Sequence, residues 1–573
     1  MKILLTAVNA KYIHSNLAVY SLGAYAQAYR TTDAQIVIRE YTINQAVADI
    51  LADIYREKPD VLCFSCYIWN ISYVEELAEE FHKLCPGVPV WVGGPEVSYG
   101  TERFLREHPA VFGAMIGEGE QTFLELCEHY AKSSPEENLR RIAGIAYRGG
   151  DGFCFTVQRD VIDMSRIPFC YKDMTEFENR IVYYESSRGC PFRCSYCLSS
   201  VDKRLRFRSP ALVKEELAFF LENKVPQVKF VDRTFNCKHE HAMEIWRFIH
   251  EHDNGVTNFH FEVSADLLTE EELELLGTMR PGLVQLEIGV QSTNDATIQE
   301  IHRTMDLKRL REVVARIAAG RNIHQHLDLI AGLPYEGYET FAKSFDEVYA
   351  WKPDQLQLGF LKVLKGSYLH GNAAEYGMKY RTKPPYEVME TRWLSFDEVL
   401  LIRQVEEMLE VYYNSGQYGL TIRLLETQFA GAFEMYRRLG AFYERKGYFA
   451  MSHSRLRRAE ILLEFAGEEA GAAVPVLEES LVFDLYHREN MKSRPAWAAD
   501  LSEWKTLTRQ HCKNGKQSHV ERFFYCFPEK EQRLAGALPA RREQAVYVRF
   551  DYTRRDPLDH QAYWEYVTEQ KQE

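Results

Sequence analysis

A chain of 573 residues has room for three or four domains, and 46 % hydrophobic with 27 % charged residues is ordinary for a globular protein. The formal charge of −14 excludes a nucleic-acid binder of the whole-surface basic kind, leaving at most a local patch. No apolar run reaches membrane-spanning length, the start MKILLTAVNAKYIH reads as a strand and not a signal peptide, and twelve cysteines without a secretion signal imply a reducing, cytoplasmic compartment.

Over residues 1–140 the strand-like runs KILLTAV, AQIVIREY, DVLCFSCY, VPVWVGG and VFGAMIG alternate with amphipathic stretches. Five strands alternating with helices predict an open, mostly parallel, doubly wound sheet, which binds ligands beyond the carboxyl ends of its strands. Ser72 with Glu75 three residues on reads as a capping box. Gly93 and Gly94 end the fourth strand, and Gly117 and Gly119 the fifth, where a backbone can approach a ligand closely. The G-x-G-x-x-G fingerprint of a nicotinamide site is absent after the first strand. Cys63 and Cys66 lie in an apolar run and read as core thiols. AGIAYRGGDGFCFTVQ predicts a two-stranded ribbon, and with a connector through Pro168 it occupies 141–178.

Residues 179–368 carry six further strands: IVYYESS, QVKFVD, NFHFEVSA, LVQLEIGV, IHQHLDLI and DQLQLGFL. Ser209 with Pro210, and Thr269 with Glu272, mark helix starts between them. Six βα units predict a partial barrel of the TIM type. The period-two pattern puts His260, Glu262 and Ser264 on one face, Gln285, Glu287, Gly289 and Gln291 on another, and His326 with Asp328 on a third. These polar faces should point inward, where a barrel normally holds branched aliphatics, so the interior asks for a polar occupant.

The loop after the first barrel strand contains RGCPFRCSYC, with Cys190, Cys194 and Cys197. Zinc wants four closed ligands, and no partner pair lies nearby. A cubane takes a thiolate at every iron, so three cysteines leave one iron open. Cys237, His239 and His241 follow the second strand and read as ordinary polar residues at a helix start; Cys512 and Cys526 are too few for a second cluster.

Residues 384–573 predict a mainly helical α+β domain. Ser395 and Glu398 open the long helix FDEVLLIRQVEEMLEVYYNS, AGEEAGAAVPV reads as a loop, and RFFYCF and AVYVRFDY read as strands. The section carries no legible motif. It is expected to cover the barrel mouth or shape the substrate site rather than bind a cofactor, since a partial barrel leaves an open side that something must close; cluster and cobalamin should survive its removal if the remainder folds.

The C-x3-C-x2-C spacing and Tyr196 before the last cysteine resemble the signature of radical S-adenosylmethionine enzymes. FVDRTFN, LEIGVQS and DLIAGLP at the strand ends extend the likeness across 181–366. FVDRTFN resembles the motif of the cobalamin-dependent branch, although Arg233 stands where that branch often has a second acid. NAKYIHSNLA, FSCYIWN, VWVGGPEVSYG and GEGE resemble the cobalamin-binding domain that precedes many such barrels.

The resemblance implies a 4Fe-4S cluster on Cys190, Cys194 and Cys197, and S-adenosylmethionine held by Tyr196, Asp232, Glu262, Ser264, Gln291 and Asp328, with Asp328 to Leu333 along the adenine. It implies cobalamin at Tyr67, Trp69, Asn70, Gly93, Gly94, Gly117 and Gly119. The D-x-H-x-x-G motif that supplies a histidine to cobalt is missing, and His14 lies five positions after Asn9, so cobalt is expected to lack a protein histidine. Tyr67, Trp69 or Asn70 would then cover its lower face, unless Trp69 packs under a helix. The implied activity is methylation of an unactivated carbon through methylcobalamin and a 5′-deoxyadenosyl radical. A radical cyclase, rearrangase or oxidoreductase with the same cofactors is the alternative, and a non-catalytic cobalamin or redox sensor is the reading from another class. A methylthiotransferase acting on RNA is disfavoured, since its N-terminal three-cysteine domain is absent. The substrate is not legible; an electron donor such as flavodoxin or ferredoxin is the implied partner.

Overall fold

A computed structural model describes residues 1–132, 136–150, 152–512, 517–525 and 538–568. Seven strands make the first sheet: β1 (Lys2–Asn9), β2 (Gln35–Thr42), β3 (Val61–Ser65), β4 (Val90–Gly93), β5 (Gly113–Met115), β6 (Ile145–Gly149) and β7 (Gly152–Phe155). Their order is β2-β1-β3-β4-β5-β6-β7, the first five parallel and the last two antiparallel. The ribbon is therefore formed, and it extends the sheet by pairing with β5. Leu4, Leu62, Phe64, Val90 and Val92 face the helices Val47–Glu57 and Ile71–Leu84. Ile3, Leu5, Val61, Cys63 and Trp91 face Leu17–Tyr29 and Glu120–Ala131. Burial on both faces explains the continuous apolar runs of a parallel sheet. The strand order reverses between β1 and β3, where a doubly wound sheet opens its binding crevice.

The capping box at Ser72 and Glu75 does not form. The helix begins at Ile71 with Asn70 at its cap, and the Asn70 side chain turns inward to backbone groups.

The six barrel strands are Val182–Tyr184, Gln227–Phe230, Asn258–Val263, Val284–Gln291, His324–Ala331 and Gln355–Phe360, paired in sequence order and all parallel. Phe259, Phe261, Leu286, Ile288, Leu327 and Leu329 join the core under the helices, which leaves the alternating polar residues on the inner face. An open barrel has two unpaired edges, each needing partners for its backbone groups. Beside the first strand, Ile181 donates its N–H to Ile13 O at 2.8 Å, and His14 bridges Ile181 in parallel. At the sixth, Asn414 imitates a strand: its Oδ1 accepts from Leu356 N at 3.0 Å and its Nδ2 donates to Leu356 O at 2.9 Å. The capped helix Phe396–Leu409 continues through one π turn, Glu410–Asn414, to bring that amide to the edge.

The third section closes the side that a partial barrel leaves open, and its first residues, Val388 and Trp393 among them, reach the mouth. Val399, Ile402, Phe433 and Tyr436 share one core with Phe345 and Leu356 of the barrel, so the helices cover its flank. The mouth is covered by the segment ahead of them. Leu361, Val363, Leu369, Tyr376 and Val388 pack with Ile301 and Leu333, and Tyr196 leans on this group. Deleting residues from Pro384 onward would bare the barrel's flank, so retention of cofactor binding is no longer the expectation. AGEEAGAAVPV is not a free loop: a helix runs to Glu469, the next starts at Val474, and one 3-10 turn, Gly471–Ala473, joins them. Ser518–Tyr525, Arg541–Arg555 and Ala562–Val567 form an antiparallel sheet, while Cys526 and Phe527 of RFFYCF lie outside the described residues.

Candidate active site at the barrel mouth

The cysteine loop is pinched at its root. Ser187 and Arg188 pair antiparallel with Phe207 and Arg206. Gly189 has φ +96°, and a Cβ there would lie 2.7 Å from Arg204 O, so only glycine lets the two arms close. Asp232 is fully buried behind the root. It accepts from Ser186 N at 3.0 Å, Ser186 Oγ at 2.7 Å and Ser187 Oγ at 2.5 Å, and burial pushes its pKa up to about 6. Mid-loop, Ser195 N donates to Ile301 O at 2.9 Å and Ser195 O accepts from Leu369 N at 3.0 Å. Cys190 and Cys194 are buried and Cys197 half-buried. Thr234 Oγ1 lies 3.7 Å from Cys190 Sγ, and burial raises that thiol's pKa.

Arg303, which carries no sequence signal of its own, reaches this loop from beyond the fourth barrel strand. Its Nη1 lies 3.3 Å from Tyr196 Oη and 3.8 Å from Cys194 Sγ, and Nη2 donates to Gly289 O. A Cβ on Gly289 would sit 2.3 Å from Gln291 Nε2 and 3.4 Å from Arg303 Nη2, so glycine here clears their path. Gln291 itself has φ +71°, where strand pairing shifts by one residue. Buried polar atoms without a hydrogen bond gather around the mouth: Gln291 Oε1, Ser195 Oγ and Arg303 Nε. Buried polar atoms are normally satisfied, so this unmet set fits a polar ligand beside the thiols. The donors also suit a cluster: three thiols on one loop, each able to ligate a separate iron.

Deeper in the barrel, Glu287 accepts from Lys229 Nζ at 2.9 Å and lies 3.0 Å from His260 Nε2. Burial alone would raise the Glu287 pKa, but His260 and Lys229 hold it well below the usual carboxylate range. Burial pushes Glu262 up to about 7 against the pull of Arg233, and Asp328 well above its ordinary value with Glu287 and Glu262 adding to the rise. His326 Nε2 lies 3.2 Å from Asp328 Oδ1. Ser264 is turned aside: its Oγ donates to Asp266 Oδ1 at 2.8 Å, and its N–H to Asn236 Oδ1 at 3.0 Å.

Across the mouth stands the carboxyl edge of the first sheet. Tyr67 and Trp69 stack with centroids 4.5 Å apart and planes 5° from parallel. Trp69 is 42 % exposed and donates Nε1 to Val8 O at 3.2 Å, so it forms a shelf and does not pack under a helix. Asn70 is fully buried. Its Nδ2 donates to Val8 O at 3.0 Å and Ser65 O at 2.9 Å and its Oδ1 accepts from Tyr67 N at 2.8 Å, which leaves no free donor for a ligand. His14 Nδ1 lies 2.7 Å from Tyr183 Oη, tying this histidine to the barrel. Gly94 has φ +121° and lies so close to β3 that a Cβ would be 2.4 Å from Cys66 O; Gly93 rests on Met115. Around Gly117, φ +81°, the space is open, whereas a Cβ on Gly119 would meet Leu22 Cδ2 at 2.8 Å.

The other sulfur and histidine groups are engaged elsewhere. Burial pushes the Cys63 thiol up to about 12 and Cys237 up to about 11. His239 lies 3.1 Å from Glu272, and His241 Nε2 lies 2.9 Å from Ser186 Oγ, supporting the loop root.

Comparison with known proteins matches residues 3–127 to the B12 binding domain, 184–348 to the Radical SAM superfamily and 374–535 to a protein family of unknown function (DUF4080). The 2-(S-pantetheinyl)-carbapenam-3-carboxylate methyltransferase of Streptantibioticus cattleyicolor is 26 % identical over 306 residues, 49 % of this chain and 44 % of the relative. The cobalamin-dependent radical SAM methyltransferase TokK of Streptomyces tokunonensis is 26 % identical over 415 residues, 67 % of this chain and 59 % of the relative. The anaerobic magnesium-protoporphyrin IX monomethyl ester cyclase of Rubrivivax gelatinosus is 22 % identical, covering 58 % of this chain and 61 % of the relative. The chain thus spans about half the length of the first two. Its fold is shared with the radical S-adenosylmethionine methyltransferase TsrM of Kitasatospora setae with cobalamin and cluster bound, at TM-score 0.57 and 16 % identity over 67 % of this chain and 78 % of that one. It is also shared with the cobalamin-dependent enzyme OxsB with aqua-cobalamin bound, at TM-score 0.60 and 15 % identity over 85 % of this chain and 80 % of that one.

Proposed function

We propose that this chain, a member of the cobalamin-dependent radical SAM enzymes, is a methyltransferase acting at an unactivated carbon. The observation that carries the reading is the mouth itself: three thiols on one pinned loop, with unmet buried polar atoms and the Arg303 cation beside them, facing an aromatic shelf.

Cys190, Cys194 and Cys197 would ligate three irons of a 4Fe-4S cluster and leave the fourth open. Bound together, the cluster, S-adenosylmethionine and cobalamin supply radical formation and methyl transfer. The chain's own residues position and exclude. Arg303, held by Gly289 O and Tyr196, is the buried cation suited to the methionyl carboxylate. Gln291 Oε1 offers an acceptor for an ammonium or ribose hydroxyl. Glu262 and Asp328, whose proton affinity burial raises, can donate as neutral acids toward the ribose and adenine. Tyr67 and Trp69 would carry cobalamin at the switch point, while the cover formed by 361–394 excludes water. The remaining expected contacts are the backbone near Gly93, Gly94, Gly117 and Gly119 for cobalamin, with Asp232 acting through the loop root.

A one-electron donor of the flavodoxin or ferredoxin kind would reduce the cluster, in the cytoplasm. No helix among the described residues is long and apolar enough to cross a membrane. The cyclase-named relatives keep a second reading open, a radical reaction without methyl transfer. The test is reductive turnover of reconstituted protein. Release of S-adenosylhomocysteine with 5′-deoxyadenosine is the expected result; 5′-deoxyadenosine alone favours the second reading, and neither product favours a sensor. Replacing Cys190, Cys194 and Cys197 together by Ala should abolish the visible absorbance of the cluster, and retention of iron and sulfide by that variant would sink the assignment.

A further inference from the structure

Arg188 stands two residues before Cys190, and three carboxylates converge on its guanidinium. Glu185 accepts from Nε at 3.0 Å and from Nη2 at 2.7 Å. Glu120 accepts from Nη2 at 2.8 Å and from Nη1 at 3.4 Å. Glu118 Oε1 lies 3.5 Å from Nη1. Glu185 belongs to the barrel, but Glu118 lies in the loop after β5 and Glu120 opens the helix that follows Gly119, on the other domain.

The second arm of the cysteine loop makes the same connection. Arg206 pairs with Arg188 across the root ribbon, and its Nη2 lies 2.6 Å from Glu118 Oε1. Both roots of the segment carrying all three cysteines are thus tied to one pair of acids. Those acids are themselves held: Glu118 Oε2 accepts from Ile162 N at 2.8 Å, and Glu120 Oε1 from Ser21 Oγ at 3.2 Å. The side chains are largely buried, Arg188 at 21 % and Glu120 at 6 % exposure, so the knot is not a solvent-screened surface pair. Buried charge pairs contribute little net stability compared with apolar packing, whereas a planar fork held by fixed carboxylates is strongly directional. Tyr67 of the aromatic shelf lies within electrostatic reach of Glu185 and Arg188.

We infer that Arg188 is a positioning residue. Together with Arg206 it sets the distance and angle between the cysteine loop and the carboxyl edge of the first sheet, so that groups bound at the two places address the same substrate atom. This rests on the proposed function, in which the loop holds the cluster and the edge holds cobalamin.

The test is pulsed electron paramagnetic resonance on the loaded full chain, reading the dipolar coupling between cob(II)alamin and the reduced cluster. The wild type should give one narrow distance. Arg188→Gln should bind both groups and yet shift or broaden the distance by about 1 Å, the scale of misplacement that costs a positioned reaction about 100-fold. Arg188→Lys, which keeps the charge and loses the fork, should fall between the two. An unchanged narrow distance in Arg188→Gln overturns the inference. If that variant takes up no cluster, Glu120→Gln, which lies outside the cysteine loop, decides: broadening supports the inference and an unchanged distance overturns it. A wild type that binds neither group refutes the proposed function instead, and is told apart by the missing signals.

Discussion

Gly94→Ala is predicted to destabilise the first sheet far more than its single added methyl suggests. Gly94 has φ +121° and ψ 176°, a region open to glycine alone, and holding another residue there costs about 1–3 kcal/mol. The new Cβ would stand 2.4 Å from Cys66 O and 3.1 Å from Cys66 N. Relief needs the end of β3 to retreat by about 1 Å, and overpacking of that kind costs about 1–3 kcal/mol. The retreat also strains the bond from Cys66 N to Gly93 O, 2.7 Å long, for about 1 kcal/mol more. The total, about 3–7 kcal/mol, rivals the roughly 5–15 kcal/mol that holds a whole domain together. Gly117→Ala is the control: φ is +81°, yet a Cβ there meets nothing within 4 Å, so only the dihedral cost of about 1–2 kcal/mol applies. Native-state hydrogen exchange of the β3 and β4 amides in the full chain reads both variants. Protection in Gly94→Ala should fall at least tenfold below that in Gly117→Ala, a difference of about 1.4 kcal/mol. Equal protection in the two would refute the close-approach argument.

His14→Ala should leave the cob(II)alamin resonance of the loaded protein without any change in nitrogen splitting, because the His14 ring is bound to Tyr183; an axial nitrogen signal that vanishes in the variant would contradict this. Glu336 is buried, accepts only from Ser292 Oγ at 2.6 Å and Ser344 Oγ at 2.9 Å, and burial pushes its pKa up to about 7. The folded state therefore binds this proton more tightly than the unfolded chain, whose pKa is near 4.3. Stability is full below about pH 4.3 and is lost as pH rises through 7, by about 4 kcal/mol in all. Glu336→Gln, which cannot titrate, should match the wild type near pH 4 and melt higher near pH 8. Parallel melting curves of the two proteins across that range would show that Glu336 does not titrate in this window.

The sequence by itself determined the elements and the chemical signature. Strand and helix periods are local, so the five first strands, the six barrel strands and the inward polar faces at His260, Glu262, Glu287 and Asp328 were legible. So was the cysteine spacing, because one loop carries all three ligands. Local reading faltered where two nearby groups compete. Ser72 and Glu75 spell a capping box, but Asn70 wins the cap position because its amide finds Val8 O, a backbone group on another strand. Glycines end β4 and β5 in plain view, yet only packing separates Gly94, pressed on Cys66, from Gly117, open to space.

Tertiary structure alone decided which distant groups meet. Arg303 joins Cys194 across 109 positions, Asn414 finishes the strand at Leu356 across 58, and Arg188 gathers Glu120 across 68. No periodicity links such pairs, since each contact depends on the register of whole elements. The same holds for the helices after Pro384, which come after the mouth cover in sequence and yet pack on the barrel's flank. Their apolar faces are local facts, but which surface they bury is settled by the strand edge and core left open once the barrel has formed.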